Sequence, residues 1–471
     1  MLDKIDYKKF LLPLIVGLGI WLSTPVRPEG LSLVAWHMFA IFVATIIALI
    51  TKPLPIGAIA LLGFTITAIT NTVPISTEIL AFGNTNIWLI ALAFFISRGF
   101  IKTGLGRRIA LVIIGRFGRK TLGLAYSIIG VDLILAPATP SNTARAGGVI
   151  YPIIESISKS FGSEPKFKTE REIGAFLMFT EYQGNVITSS MFMTAMAGNP
   201  LIYTFAKNAG LNINWTTWAL AASVPGLLCM IIMPIILFKI FPPQIKETPT
   251  ASKWAKEELA TLGKTSLAEK IMLGTFVLAL ILWVLSSFIG LDAATVGFLA
   301  VGILLVTGVI NWTDVLNESG AWNTFFWFSV LVVMAGQLNK LGFIGWVSKH
   351  IGGMLHGLNW ILLLVILVVV YFYLHYLFAS EVAHITALYP ATLALAVAGG
   401  VPPMLAGLLL AFSSNLIGST THFASGPAPI YFGSGYVKQN DWWRLCLIMG
   451  VIYLTVFLTV GSLWMKVLGM W

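Results

Sequence analysis

Charge is scarce in this chain, and cysteine is nearly absent. Only 10% of the 471 residues are Asp, Glu, Lys or Arg, while 57% are hydrophobic. A soluble domain carries about 25% charged residues, so a soluble globular fold is excluded. The two cysteines, Cys229 and Cys446, both fall in apolar runs. They read as small buried hydrophobes, with no disulfide or metal spacing around them. HExxH, a Walker A sequence, an aspartate-rich diphosphate motif and GxSxG with partners are all missing. No enzyme activity, cofactor or metal is therefore expected. Gly147-Gly148 and Gly352-Gly353 have no strand context and read as packing or turn glycines. The residue-by-residue alternation of a membrane β-barrel is missing too. What remains is an all-α polytopic membrane protein, with the lipid bilayer as its surroundings.

Acidic residues number 19 against 29 basic ones, a formal net charge of +10. The basic residues flank apolar segments, as orientation signals do, so no nucleic-acid partner is expected. The segments are Phe10–Ser23, Ser32–Ile50, Leu54–Thr70, Asn86–Thr103, an amphipathic Gly106–Arg119, Thr121–Ile157, Ile173–Gly198 and Asn214–Phe241. After a polar stretch come Lys270–Ile289, Ala293–Ile310, Ala321–Leu341, an amphipathic Gly345–Leu358, Trp360–Ala398, Pro402–Tyr431 and Trp442–Leu468. Thr121–Ile157 and Trp360–Ala398 carry polar centres and read as re-entrant hairpins, because irregular backbone at that depth must face protein or a water-filled cavity. This leaves about 11 transmembrane helices plus two re-entrant hairpins. With the N-terminus cytoplasmic, Lys4, Lys8, Lys9, the Arg107–Lys120 cluster and the Lys246–Lys270 cluster lie inside. Arg27, Lys207, Lys340, Lys349 and Lys466 lie outside, and so does the C-terminus. The start, Lys4–Lys9 before Phe10–Leu22, lacks a small-residue cleavage site and is kept as the first helix. No transit peptide precedes it, which points to a bacterial inner (plasma) membrane.

The order of parts repeats. Residues 1–241 form a first repeat: scaffold helices, a cytoplasm-facing hairpin 121–157, a broken helix 173–198 and a closing span. Residues 242–269 are a cytoplasmic linker. Residues 270–471 form a second, inverted repeat: scaffold helices, an exterior-facing hairpin 360–398, a broken helix 402–431 and a last span. The hairpin centres match. Pro140-Ser141-Asn142-Thr143-Ala144-Arg145 and Ala379-Ser380-Glu381-Val382-Ala383-His384 each set a Ser four residues before a basic side chain, and each runs on to a Tyr-Pro, Tyr151-Pro152 and Tyr389-Pro390. The broken helices match as well, Asn185–Ser190 with Asn415–Thr421, and Asn199–Tyr203 with Ala428–Tyr431.

Polar tips on hairpins and helix breaks at the midplane are the parts of a carrier site. Ser141, Asn142, Thr143, Thr188, Ser189, Ser190, Ser380, Ser419, Thr420 and Thr421 offer neutral donors, and half-helix N-termini add partial positive charge. Such a set suits a carboxylate or a related oxyanion. Arg145 has two readings: a structural ion pair with Glu181 or Asp132, or a cation that neutralises an anionic substrate. His384 is the matching residue of the second tip, with Glu381 beside it to hold the imidazole charged. His422 is a third candidate. Arg98 reads as structural, and Asp292, Asp314 and Glu318 as solvated.

These motifs resemble the divalent anion:sodium symporter (INDY) family over essentially the whole chain. The narrower likeness, in Pro140–Gly148 and Asn415–Tyr436, is to plastid 2-oxoglutarate/malate translocators and their bacterial dicarboxylate-exchanger relatives. The resemblance implies a homodimer and an elevator-type transporter, with both hairpins in the mobile part. Its implied substrates are C4/C5 dicarboxylates: 2-oxoglutarate, malate, succinate and fumarate. Sodium-coupled members generally carry Ser-Asn-Thr at both tips. Here the second tip reads Ser380-Glu381-Val382, and basic residues stand at 145 and 384. A fixed cation in place of bound sodium implies exchange without sodium coupling, and an Arg145→Ala protein that folds but does not exchange. The alternative is a sodium- or proton-coupled symporter of a dicarboxylate, citrate or tartrate.

Overall fold

The computed structural model describes residues 6–355 and 359–471. Lys4 and the last three positions of the Gly345–Leu358 segment lie outside the described residues. The first half holds α1 (Lys8–Leu22), α2 (Leu33–Thr51), α3 (Ile56–Ile69), α4 (Ile75–Leu80), α5 (Thr85–Thr103), α6 (Leu105–Phe117), α7 (Thr121–Leu135), α8 (Asn142–Arg145), α9 (Tyr151–Ser160), α10 (Gly174–Met191), α11 (Asn199–Asn208) and α12 (Trp215–Ile240). α13 (Pro249–Thr261) follows. The second half holds α14 (Leu267–Ile289), α15 (Ala293–Val306), α16 (Trp312–Asn317), α17 (Ser319–Lys340), α18 (Phe343–Leu355), α19 (Trp360–Tyr373), α20 (Glu381–Ala398), α21 (Pro403–Leu416), α22 (Ala428–Gly433), α23 (Gln439–Val456) and α24 (Ser462–Val467). Among the described residues the only strand-like pairing is a single bridge between Lys120 and Glu247.

From α2 and again from α14 the same succession runs. A long helix is followed by a 14-residue helix, α3 or α15, and by a 6-residue turn of helix, α4 or α16. Another long helix and a 13-residue amphipathic helix, α6 or α18, come next. The two halves also exchange partners: α5 packs on α15 while α17 packs on α3, and α10 packs on α21. Cavities occupy corresponding places. One lies between α6 and the outgoing limb of the first hairpin, at Gly148, Val149 and Pro152. The other lies between α18 and α20, at Pro390, Leu393 and Val397.

Among the described residues, 8 helices are long and apolar enough to cross a membrane, or up to 9 if the bent pair Ile75–Gly83 and Ile87–Thr103 counts as one span. Three of the 8, Thr121–Ala138, Trp360–Leu377 and Glu381–Ala398, are limbs of the two hairpin segments and are themselves long enough to cross, so length alone supports five of the about 11 spans read from sequence, or six with the bent pair. α3 and α15 stop at 14 residues, roughly 21 Å at 1.5 Å per residue, against a hydrocarbon core of about 30 Å. α1 is 15 residues long, with Pro13 inside it.

The linker 242–269 is not featureless, because α13 docks on α6. Thr248 Oγ1 donates to Gly118 O at 2.9 Å and Ser252 Oγ to Gly115 O at 2.6 Å. Arg107 pairs with Glu258 at 2.6 Å and Arg108 with Glu269 at 2.5 Å. Arg108 also donates to the carbonyls of Gly263 and Leu262. The basic residues Arg107 and Arg108 of α6 thus hold the linker. Asp314 is likewise not simply solvated. It closes a capping box with Asn311, and Lys102 Nζ at 2.5 Å holds its carboxyl below the usual aspartate range. Arg98 approaches the same carboxylate at 3.9 Å, in keeping with a structural role.

The core sits around α10, every residue of which is buried, and α21, buried from Leu405 to Leu416. Cys229 and Cys446 are free and buried there. α10 carries Glu181, Gln183, Asn185 and five hydroxyls, of Thr180, Tyr182, Thr188, Ser189 and Ser190, into that core. The polar groups needing partners therefore concentrate where the two hairpins arrive.

Candidate functional site

Each hairpin tip is made the same way. α7 gives way to a 3₁₀ turn, Ala136–Ala138, where Pro137 supplies no N–H to continue the helix. The chain then extends through Thr139, and Ser141 N-caps α8, accepting from Ala144 N at 3.1 Å. Asn142 Oδ1 accepts from Thr143 N at 2.9 Å, which leaves its amide NH₂ to face outward from the turn. A π-helical stretch, Ala146–Ile150, carries the chain into α9, a local geometry frequent at functional sites. In the second hairpin a 3₁₀ turn, Leu374–Leu377, precedes extended Phe378. Ser380 N-caps α20, accepting from Ala383 N at 3.4 Å.

The first helix break lies just beyond its hydroxyl cluster, whereas the second lies at Ser419–Thr421 as read from sequence. α10 continues through Thr188, Ser189 and Ser190 and ends at Phe192, which is extended. Ser189 and Ser190 bond back within the helix, to Asn185 O and Ile187 O at 2.7 Å each, while Thr188 donates mainly to Asp132 and lies 3.1 Å from Asn185 O. This is the usual way for Ser and Thr to be satisfied inside an apolar helix. Asn199, the first residue of α11, caps the break by donating to Ser189 O at 2.8 Å and Phe192 O at 3.0 Å. In the second half α21 passes into a 3₁₀ turn, Ile417–Ser419. Ser419 bonds back to Leu416 O and Thr420 to Ile417 O, and Thr421 Oγ1 accepts from Phe423 N at 3.4 Å. Tyr182 Oη donates to the carbonyls of Gly418 and Thr421. Asn415 Nδ2 donates to Asn199 Oδ1 at 2.7 Å, tying one break to the other. Sequence patterning marks both asparagines as motif members but does not show that they meet.

Arg145 is fully buried, and so is Asp132, 2.8 Å from its Nε. Nη1 donates to the carbonyls of Thr139 (2.8 Å) and Ala195 (3.0 Å). Nη2 donates to Thr188 Oγ1 (3.3 Å) and Ser189 Oγ (3.2 Å). Asp132 also accepts from Asn185 Nδ2 at 3.0 Å and from Thr188 Oγ1. Of the two candidate partners, Asp132 holds the guanidinium. Neither Glu181 oxygen has a hydrogen-bond partner among the described residues. Every nitrogen of the Arg145 fork is already bonded within the protein, which favours the structural one of its two readings.

His384 changes as well. Its ring is buried against Tyr371, His375 and Phe378. Neither ring nitrogen has a hydrogen-bond partner among the described residues. Glu381 is turned away from that ring, towards the side chain of Asn142 and the backbone of Gly418, where a methyl would lie 2.9 Å from Glu381 Oε1. His422 accepts from Trp443 Nε1 at 3.0 Å and packs on Phe432.

The two tips therefore meet, Asn142 against Glu381, beside the second break. A methyl at Gly426 would overlap the Thr143 hydroxyl, so the loop after α21 lies directly on the first tip. Gly147 lies against Ile430 and Gly198 against Ile385, an added methyl at each falling 2.7 Å from the isoleucine Cδ1. Each hairpin thus packs on the broken helix of the opposite half. Ser141, Thr143 and Ser380 remain partly exposed, whereas Thr188, Ser189, Ser190, Ser419, Thr420 and Thr421 are buried. The hydroxyls accessible to a ligand are those of the tips.

Comparison with known proteins follows the same lines. Residues 4–471 match the family described as the sodium:sulfate symporter transmembrane region. The chain is similar to the malate-transporter candidate YflS of Bacillus subtilis (strain 168), 52% identical over 462 residues, covering 98% of this chain and 96% of that one. It is similar to dicarboxylate transporter 1, chloroplastic, of Spinacia oleracea, 46% identical over 98% of this chain and 82% of that one. It is also similar to an L-tartrate/succinate antiporter of Shigella boydii serotype 4 (strain Sb227), 37% identical over 99% of each. Among solved structures, MtrF of Neisseria gonorrhoeae has a TM-score of 0.59 at 14% identity, covering 97% of this chain and 94% of that one. The YdaH transporter of Alcanivorax borkumensis has a TM-score of 0.57 at 12% identity, covering 97% and 98%. At such identities these two speak for the fold alone.

Proposed function

The chain belongs to the sodium:sulfate symporter (divalent anion:sodium symporter) family of multi-pass membrane transporters, and from that premise we propose that it exchanges C4/C5 dicarboxylates across a bacterial plasma membrane without sodium coupling. The observation that carries this is the junction of two serine-capped hairpin tips beside two interrupted helices. Tip hydroxyls and the N-terminus of the 18-residue α20 present donors and partial positive charge, which suit carboxylate oxygens. Relatives named for malate, dicarboxylate and tartrate/succinate transport support the substrate class.

Arg145 supports sodium independence differently from a free charge. Its guanidinium is surrounded by carbonyl, hydroxyl and carboxylate oxygens, the ligands a small hard cation takes. A tethered cation fills that oxygen cage and is never released with substrate. The hairpins, α10–α11 and α21–α22 form the mobile part, and α2, α3, α5, α14, α15 and α17 the scaffold, with movement of elevator type in a homodimer. In the empty carrier the tip donors lack partners, and carrying them past apolar scaffold is costly. Net return is therefore slow and exchange dominates.

The expected result is saturable counterflow in proteoliposomes for malate, succinate, fumarate and 2-oxoglutarate, with monocarboxylates at least about tenfold poorer. Non-saturating flux, or counterflow of sulfate but of no dicarboxylate, would reject the reading.

A further inference from the structure

With Arg145 bonded internally and His384 enclosed by rings, the tips carry no accessible cation of their own among the described residues, although the proposed substrate carries two negative charges. The structure brings one from elsewhere. Lys52 ends α2 in the turn to α3. Its backbone is left-handed, φ 50° and ψ 55°, and its N–H closes on Ala48 O at 2.8 Å. Helices commonly end this way on glycine or asparagine. A lysine there, followed by Pro53, is a strained choice of the kind that clusters at ligand clamps and switch regions. Its side chain is exposed and reaches across the fold: Nζ donates to Ala379 O at 3.3 Å. Ala379 immediately precedes Ser380, the cap of α20, and α2 itself packs on α20.

We propose that Lys52 is a substrate-binding cation supplied by the scaffold. Its ammonium moves from the Ala379 carbonyl to a carboxylate of the dicarboxylate seated at Ser380. This rests on the dicarboxylate reading above and adds a residue to that site. A long, rotatable stem with a compact charge suits such a transfer. The neutral carbonyl is the weaker acceptor and yields to a carboxylate, whose hydrogen bond is charge-assisted. Because Lys52 belongs to the scaffold and Ala379 to a hairpin, the cation is at the site only while the second tip lies against the α2–α3 turn. It therefore favours substrate capture on one side of the membrane.

The test is counterflow of a C4 dicarboxylate in proteoliposomes holding wild type, Lys52→Gln or Lys52→Arg. Lys52→Gln is expected to raise KM about tenfold with Vmax within about twofold of wild type, the size of one charge-assisted contact. Lys52→Arg is expected to keep KM within about threefold, since it keeps the charge. An unchanged KM in Lys52→Gln overturns the proposal. So does equal impairment of both variants, which would mark a packing role. Wild-type protein that exchanges no dicarboxylate removes the functional reading itself. Wild-type exchange with an indifferent Lys52→Gln removes only Lys52.

Discussion

Arg145→Ala should lose its fold along with its exchange activity. The substitution strands Asp132, which is fully buried. It also removes the donors to Thr139 O and Ala195 O, the backbone groups that shape the first tip and the turn after α10. Removing one member of a buried ion pair costs about 3–5 kcal/mol, a large part of a total stability of order 5–15 kcal/mol. In detergent, the variant is expected to melt about 3–5 °C below wild type or to aggregate on solubilisation. Asp132→Asn strands the guanidinium instead and should be nearly as severe. Arg145→Lys keeps the charge but cannot span both carbonyls, so it should fall between. A stable, monodisperse Arg145→Ala protein that fails only in exchange would return Arg145 to direct substrate contact, the outcome that the sequence alone favours.

Gly426→Ala should silence exchange with little loss of fold. Its methyl overlaps the Thr143 hydroxyl, and Thr143 is a partly exposed tip residue. Bulk at this place displaces the tip by a fraction of an ångström to an ångström, a shift that can cost on the order of 100-fold in rate when a site must be held in register. Thr143→Ala alone removes one donor, worth about 0.5–1.5 kcal/mol or roughly tenfold. In the double variant the hydroxyl overlap is gone and only a tight contact with the Cβ of residue 143, 3.2 Å, is left. The combination is therefore expected to match Thr143→Ala rather than to multiply the two losses, the signature of coupled neighbours. Strict multiplicativity would mean that Gly426 acts through something other than the first tip.

Much of the architecture is legible because a membrane helix must be a continuous apolar run, and a polar, proline-bearing interruption such as Pro137–Arg145 is tolerated at that depth only against protein or a water-filled cavity. The buried partner of Arg145 is in view too, since Asp132 and Glu181 are the acids set deep in its own apolar segment and in the next helix. Other features depend on contacts that periodicity does not encode. Sequence patterning sets the α10 break at Thr188–Ser190. Hydroxyls that bond back to their own helix look the same in sequence as hydroxyls that free the backbone. His384 shares its spacing with Arg145, but its direction is set by Tyr371, His375 and Phe378 packing around it. Glu381 meeting Asn142, Asn415 meeting Asn199 and Lys52 reaching Ala379 join positions hundreds of residues apart. α3 and α15 read as longer in sequence than they are, because Leu54 and Pro55 before the one and Val309 and Ile310 after the other are apolar but not helical.

The central claim is exchange sustained by a tethered cation instead of sodium. Uptake of labelled malate into proteoliposomes, either empty or preloaded with unlabelled malate, each with and without a sodium gradient, tests it most directly. The account predicts uptake in the preloaded vesicles alone, at the same rate with or without sodium. Sodium-stimulated uptake into empty vesicles would contradict it.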